Sequence, residues 1–279
     1  MDPWDDYEIR KYEIRALSEI KKWEQKKYTG IQKKLQDTVS IPINYVMNQV
    51  GEDKFAAIEK AIRGVVEKLL YASAFTTDSQ KIVNKAKKYG VTIKSIDEMY
   101  HMPLKMLDEC NAKEIKLYKR VATLQGAVAG IGGELLATVD LTTLLLEDFR
   151  MIQNIAYCYG FDPEAVVEKK MILRIIEGGI GGSEVKFKII QDIEQLKKEQ
   201  RDPETYQGIN VVSTKFIDRY VKSVAVAMAV RILSCSLPII SMAVSAHSNR
   251  DIIEQSSQTA LMVYRKRFIE RKRRTIEDE

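Results

Sequence analysis

The chain has 279 residues, 45% of them hydrophobic and 30% charged, and carries a formal net charge of +5. That length buries a sizeable core without disulfide or metal staples, and so small a net charge of mixed sign removes any demand for a nucleic-acid partner. Six prolines and fourteen glycines are too few for the closely spaced turns of an all-β fold. The three cysteines, Cys110, Cys158 and Cys235, form no C-x-x-C pair and sit in apolar helical surroundings, the pattern of buried thiols in a reducing compartment.

The opening Met1-Asp2-Pro3-Trp4-Asp5-Asp6 is acidic and aromatic, unlike a signal peptide, so a cytoplasmic protein is expected. From residue 5 to about 28, Ile9, Tyr12, Ala16, Ile20 and Trp23 recur at spacings of three and four and predict a surface helix. Residues 1–40 therefore read as an N-terminal helical arm, docked on a single domain over 41–275. Pro42 precedes helices at 44–50 and 52–72. Thr76-Thr77-Asp78 opens a helix that Gly90 stops, and Ser95 with Glu98 has capping-box spacing. Asn111-Ala112-Lys113-Glu114 offers the start of another helix, which runs into the apolar stretch Val121–Ile131.

A helix over about 138–159 closes at Gly160, and Asp162-Pro163 starts the next. That helix ends at Glu177, before Gly178-Gly179-Ile180-Gly181-Gly182. The glycine run predicts a hinge, with a phosphate-binding nest ahead of Ser183 as the alternative. Ser183–Glu199 is a charged helix, Arg201-Asp202-Pro203 a turn, and about 205–235 a further helix broken near Pro238. Asn249 or Asp251 then caps a last long helix. No segment alternates as a strand does, so the fold class is all-α, one multi-helix domain of about ten helices.

Two segments, Val121–Leu146 and Val224–Ala246, are long and apolar enough to raise the question of membrane spanning. The first holds Glu134 and Asp140; the second holds Arg231 and Pro238. A charge at a bilayer centre costs about 2.5–3.5 kcal/mol on insertion scales, which offsets much of the apolar gain. Ala122, Gly126 and Gly130 lie four apart, as do Ala225 and Ala229, a spacing that lets another backbone approach closely. Two central core helices are the plain expectation. The alternative is a pair of helices that line an apolar cavity or insert into a membrane.

Catalytic chemistry is sparse. The only histidines are His101 and His247, and H-E-x-x-H is absent. Glu98-Met99-Tyr100-His101 fits E-x-x-H, but a di-iron bundle needs a second copy and Val244 stands where that glutamate would be. Ser183-Glu184-Val185-Lys186 fits S-x-x-K, as does Ser18-Glu19-Ile20-Lys21, without the companion motifs of that hydrolase class. No Walker A, nucleophile-elbow or dinucleotide fingerprint occurs. No metal or cofactor is expected. Asp140 and Glu147 share a helix face beside Asp148, which keeps a carboxylate hydrolase as an alternative reading. The final helix gathers Arg265, Lys266, Arg267, Phe268 and Arg271, a set suited either to anionic lipid or to a solvated helix end.

The run Gly126-Ala127-Val128-Ala129-Gly130-Ile131-Gly132-Gly133, then Thr138-Val139-Asp140-Leu141, Arg150-Met151-Ile152, Ile155-Ala156 and Tyr159-Gly160-Phe161-Asp162, resembles the EcsC family. So do Pro238 to Asn249 and Ala260 to Arg267. The resemblance covers roughly residues 40–270 and implies an all-helical bacterial domain, named after the third member of an operon that encodes an ABC transporter. It brings no activity. A ligand site would draw on Gly126, Gly130 and Gly133 and on the family landmarks Asp140, Arg150, Tyr159 and Asn249. The expected function is non-enzymatic: a cytoplasmic protein that binds apolar or lipid-like ligands, or the inner membrane surface, near an ABC transporter. A structural adaptor is a further alternative.

Overall fold

The computed structural model describes residues 6–25, 43–71, 93–129, 134–201, 212–235 and 241–277, with single positions between 80 and 87. The helices are α1 (Asp6–Gln25), α2 (Ile43–Val50), α3 (Glu52–Tyr71), α4 (Leu104–Ala129), α5 (Glu134–Cys158), α6 (Val166–Arg201), α7 (Thr214–Cys235) and α8 (Ser241–Glu277), with a 3₁₀ turn over Ile96–His101. Among the described residues there is no strand, and the all-α expectation holds.

Helix α8 is the pillar of the bundle, 37 residues and so roughly 55 Å long at 1.5 Å per residue. Pairs of contacts fix the direction of its neighbours. Helix α4 runs antiparallel to it, since Asp108 meets Arg265 and Lys119 meets Glu254. Helix α5 runs parallel to it, with Asp148 beside Ser256 and the Tyr159 ring next to Phe268. Helix α1 is antiparallel, pairing Glu13 with Lys272 and Glu19 with Arg265 while it buries Ala16, Ile20 and Trp23. The apolar stripe expected for the arm is therefore its docking face.

Helix α6 contains the glycine run, and its backbone stays helical through it. It nevertheless doubles back. Arg174 and Asp192 are eighteen residues apart, about 27 Å along a straight helix, yet their side chains pair at 3.2 Å. A Cβ on Gly178 would lie 3.3 Å from the Ile189 side chain. The expected break is thus a sharp bend between two limbs. The first limb ascends against α8, from Glu168 beside Arg267 to Gly179 beside Ser256. Gly179 is required by that approach: a Cβ there would stand 1.9 Å from Ser256 Oγ and 2.8 Å from its backbone nitrogen. Helix α7 ascends with this limb, as the Ser223–Glu177 bond and the Arg174–Phe216 stack show.

Several local signals act differently from expectation. Ser95 makes no side-chain cap, and Glu98 accepts from the Lys94 N–H at 3.0 Å, one residue ahead of the amide that a capping box uses, so the expected capping box does not form. Asn111 does not open a helix; it lies buried within α4, which starts after Pro103, because tertiary burial outweighs a local cap signal. Asn249 and Asp251 likewise fall inside α8, which begins at Ser241. Gly160 behaves as expected. At φ +76° it closes α5, with Phe161 N–H bonded to Ala156 O and Gly160 N–H to Tyr157 O. The helix start expected at Thr76-Thr77-Asp78 and the stop at Gly90 lie outside the described residues.

Candidate functional site

The directions of the helices give the molecule two unlike poles. One holds the start of α4, the end of α5 and the basic half of α8. The carboxylate of Asp108 is its hub. Tyr159 and Tyr12 donate their hydroxyls to Asp108, the latter at 2.8 Å, and Arg265 donates Nε at 2.9 Å and Nη2 at 2.7 Å. Tyr159 is pushed well above the usual tyrosine range, by burial first and then by the Asp108 charge. Beside this hub, Arg267 forms a two-pronged pair with Glu168, which also accepts from Tyr264 at 3.3 Å. The Arg267 guanidinium lies 4.0 Å from the Phe161 ring centroid. Burial opposes its charge, but Glu168 more than compensates and holds Arg267 more firmly protonated than usual.

The basic residues expected to face a membrane are thus turned inward. Arg265 is bound to Asp108 and Glu19, Lys266 to Glu24 and Glu194, and Arg267 to Glu168. Phe268 is fully buried, and Arg271 donates to the carbonyl of Gly160 at 3.1 Å while covering the Tyr100 ring. The reason is packing: α1, α4 and both limbs of α6 bring acids to a helix face that composition alone left solvated.

Of the expected ligand residues, Arg150, Tyr159 and Asn249 are described with their side chains, and these three lie apart. Arg150 is exposed and lies 3.7 Å from Glu147, whereas Tyr159 belongs to the Asp108 hub. Asn249 is buried on α8, sixteen positions before Arg265. Gly130 and Gly133 lie outside the described residues, as do the surroundings of Gly126 and the side chain of Asp140.

Midway along the bundle is a polar core of which the sequence pointed only to Asp148, as a neighbour of Glu147. Arg174 pairs with Glu177 and Asp192, and Glu177 also accepts from Ser223 at 2.6 Å. Asp148 lies nearby, 0% exposed, with neither carboxylate oxygen in a hydrogen bond of good geometry. Burial raises its pKa to about 8, and the adjacent Ser256 hydroxyl offsets only part of that rise. Tyr220, buried beside Glu177 and Asp148, is also held well above its ordinary range, mainly by desolvation. Such a carboxyl can hold a proton in the core at neutral pH. The sequence signal for it was faint: one acid in the apolar run Leu144-Leu145-Leu146-Glu147-Asp148-Phe149.

The other pole is different in kind. Helix α4 ends there at Ala129, α5 begins at Glu134, α7 ends at Cys235 and α8 begins at Ser241. The sequence through these ends has no charged residue from Val121 to Gly133 and only Arg231 from Val224 to Ala246. Where they are described, its helices bury small and branched side chains such as Ala122, Val224, Ala225 and Ala229. Among the described residues, no group of histidine, cysteine and acidic side chains could hold a metal ion.

The sequence model of the EcsC protein family matches residues 14–269. The uncharacterized protein YdbA of Bacillus subtilis (strain 168) is 24% identical over 265 residues, covering 91% of this chain and 92% of that protein. No solved structure matches the chain. The family match begins within α1 and ends in the basic half of α8, so it takes in both the arm and the charged pole, and the chain belongs to the EcsC protein family.

Proposed function

We propose that this protein is a non-enzymatic, lipid-engaging helical protein that meets the inner face of a membrane, or apolar ligands drawn from it, through its charge-poor pole. The observation that supports this reading is the segregation of charge. Arg265, Lys266 and Arg267 at one pole are paired with acids, whereas the stretches that run through the other, Val121–Gly133 and Val224–Ala246, hold Arg231 as their one charge, with Glu134 following where α5 begins. Apolar surface of that kind gains about 25 cal/mol for each Å² taken out of water. Among the described residues, no helix is long and apolar enough to cross a membrane, and the proposal requires none to do so. An ABC transporter in the same membrane is the partner that the family resemblance implies.

The carboxylate hydrolase gains no specific support. Glu147 is tied to Arg150, and Asp148 is sealed from solvent.

Sedimentation with vesicles tests the proposal. The protein is expected to bind vesicles of phosphatidylcholine alone as well as those containing phosphatidylglycerol, and to lose less than about twofold between low and high salt, because apolar burial is not screened. Failure to sediment with either vesicle, together with no lipid carried by the isolated protein in native mass spectrometry, contradicts it. Binding confined to the anionic vesicles and abolished by salt contradicts it too, and would return the role to the basic residues of α8.

A further inference from the structure

We propose that Cys110 and Cys158 form a reversible redox pair that closes to a disulfide when a peroxide reaches the charged pole. The two residues are 48 positions apart in sequence, yet their sulfurs lie 3.8 Å apart, in contact across the α4–α5 interface. A disulfide needs about 2.05 Å, so the sulfurs have to close by roughly 1.8 Å. Cys158 is the last residue of α5, immediately before the turn at Gly160, where a helix end adjusts more readily than a helix interior. Cys110 is 7% exposed and Cys158 0%, which makes Cys110 the point of attack for a small oxidant and shelters the partner. The pair also lies beside the Asp108 hub: Cys110 is two residues after Asp108, and Cys158 directly precedes the Tyr159 that donates to it. A bond here would make covalent the joint that Asp108 and Tyr159 already make by hydrogen bonding. Cys235, the third cysteine, closes α7 at the opposite pole.

The chemistry balances with hydrogen peroxide as oxidant. Cys110 loses its proton and its sulfur attacks one peroxide oxygen; the O–O bond breaks, giving a sulfenic acid and, with that proton, one water. The Cys158 sulfur then attacks the Cys110 sulfur, the S–O bond breaks, and hydroxide leaves as a second water with the Cys158 proton. Two electrons pass from the two thiols to the peroxide. A dithiol reductant reverses the bond by exchange.

The test uses the folded full chain, treated with hydrogen peroxide, quenched, unfolded and alkylated. The alkylated thiols are expected to fall from three to one, and peptide mapping is expected to join the peptides that carry Cys110 and Cys158. Dithiothreitol should restore all three, and Cys235→Ser should leave the cross-link intact. In Cys158→Ser, the sulfenic acid on Cys110 should persist and be trapped by dimedone. If that variant does not fold, the wild-type peptide map decides alone. Three reactive thiols after treatment, a bond to Cys235 or to a second chain, or irreversible over-oxidation of Cys110 without a cross-link would each overturn the proposal.

Discussion

Replacing Arg267 with alanine is expected to cost about 3–5 kcal/mol of folding stability, because it leaves the buried Glu168 carboxylate without its cation. Tyr264 still donates to that carboxylate at 3.3 Å, but one neutral hydroxyl replaces little of a two-pronged guanidinium. The substitution also uncovers the Phe161 ring. A paired replacement of Arg267 with methionine and Glu168 with leucine should recover most of the loss, since removing both charges removes their desolvation penalty as well. Lys11→Ala provides the contrast: its pair with Glu8 is exposed on both sides and should change stability by less than about 0.5 kcal/mol. Urea unfolding followed by circular dichroism measures all three. An Arg267→Ala chain within about 1 kcal/mol of wild type would show that the basic half of α8 is not docked as described.

The second large effect has the opposite sign. Asp148→Asn is expected to stabilise the fold at neutral and alkaline pH. In the folded chain the Asp148 carboxyl titrates at about 8, against 3.8 for the same group in water. Between those values the unfolded chain releases the proton while the folded chain keeps it. Stability therefore falls as pH rises through this window, at up to about 1.4 kcal/mol per pH unit, and levels off above about 8. Asparagine fills nearly the same space and carries no charge to desolvate. The gap between variant and wild type should be small near pH 4, widen steadily through neutrality, and stay constant once pH exceeds about 8. Parallel stability curves for the two proteins over that range would show that Asp148 is not held protonated by burial.

Helix identity was legible because it rests on local periodicity. The arm's Ala16, Ile20 and Trp23 appear in sequence as a stripe and in the structure as a docking face. Gly160 was legible because a positive φ at a helix end selects glycine. The glycine run at 178–182 was half legible. Its composition announced a bend, but only the Arg174–Asp192 pair and the contact of Gly179 with Ser256 show that the limbs fold back and why a side chain is barred. The orientation of the basic helix was not legible at all. Arg265 finds Asp108 157 residues away and Glu19 246 residues away, and no window along the chain contains both partners of such a pair. The polar core around Asp148 was hidden for the same reason, since its neighbours come from α6, α7 and α8. The family landmarks Arg150, Tyr159 and Asn249 were visible as residues, but their separation in space is a property of the fold alone.

Hydrogen–deuterium exchange of the full chain, with and without phosphatidylcholine vesicles, tests the two-pole account most directly. The account predicts that lipid slows exchange in peptides from 121–135 and 224–247 and leaves those from 260–272 unchanged, because the basic residues there are already held by Asp108, Glu168, Glu24 and Glu194. Protection centred on 260–272, or no change anywhere along the chain, would contradict it.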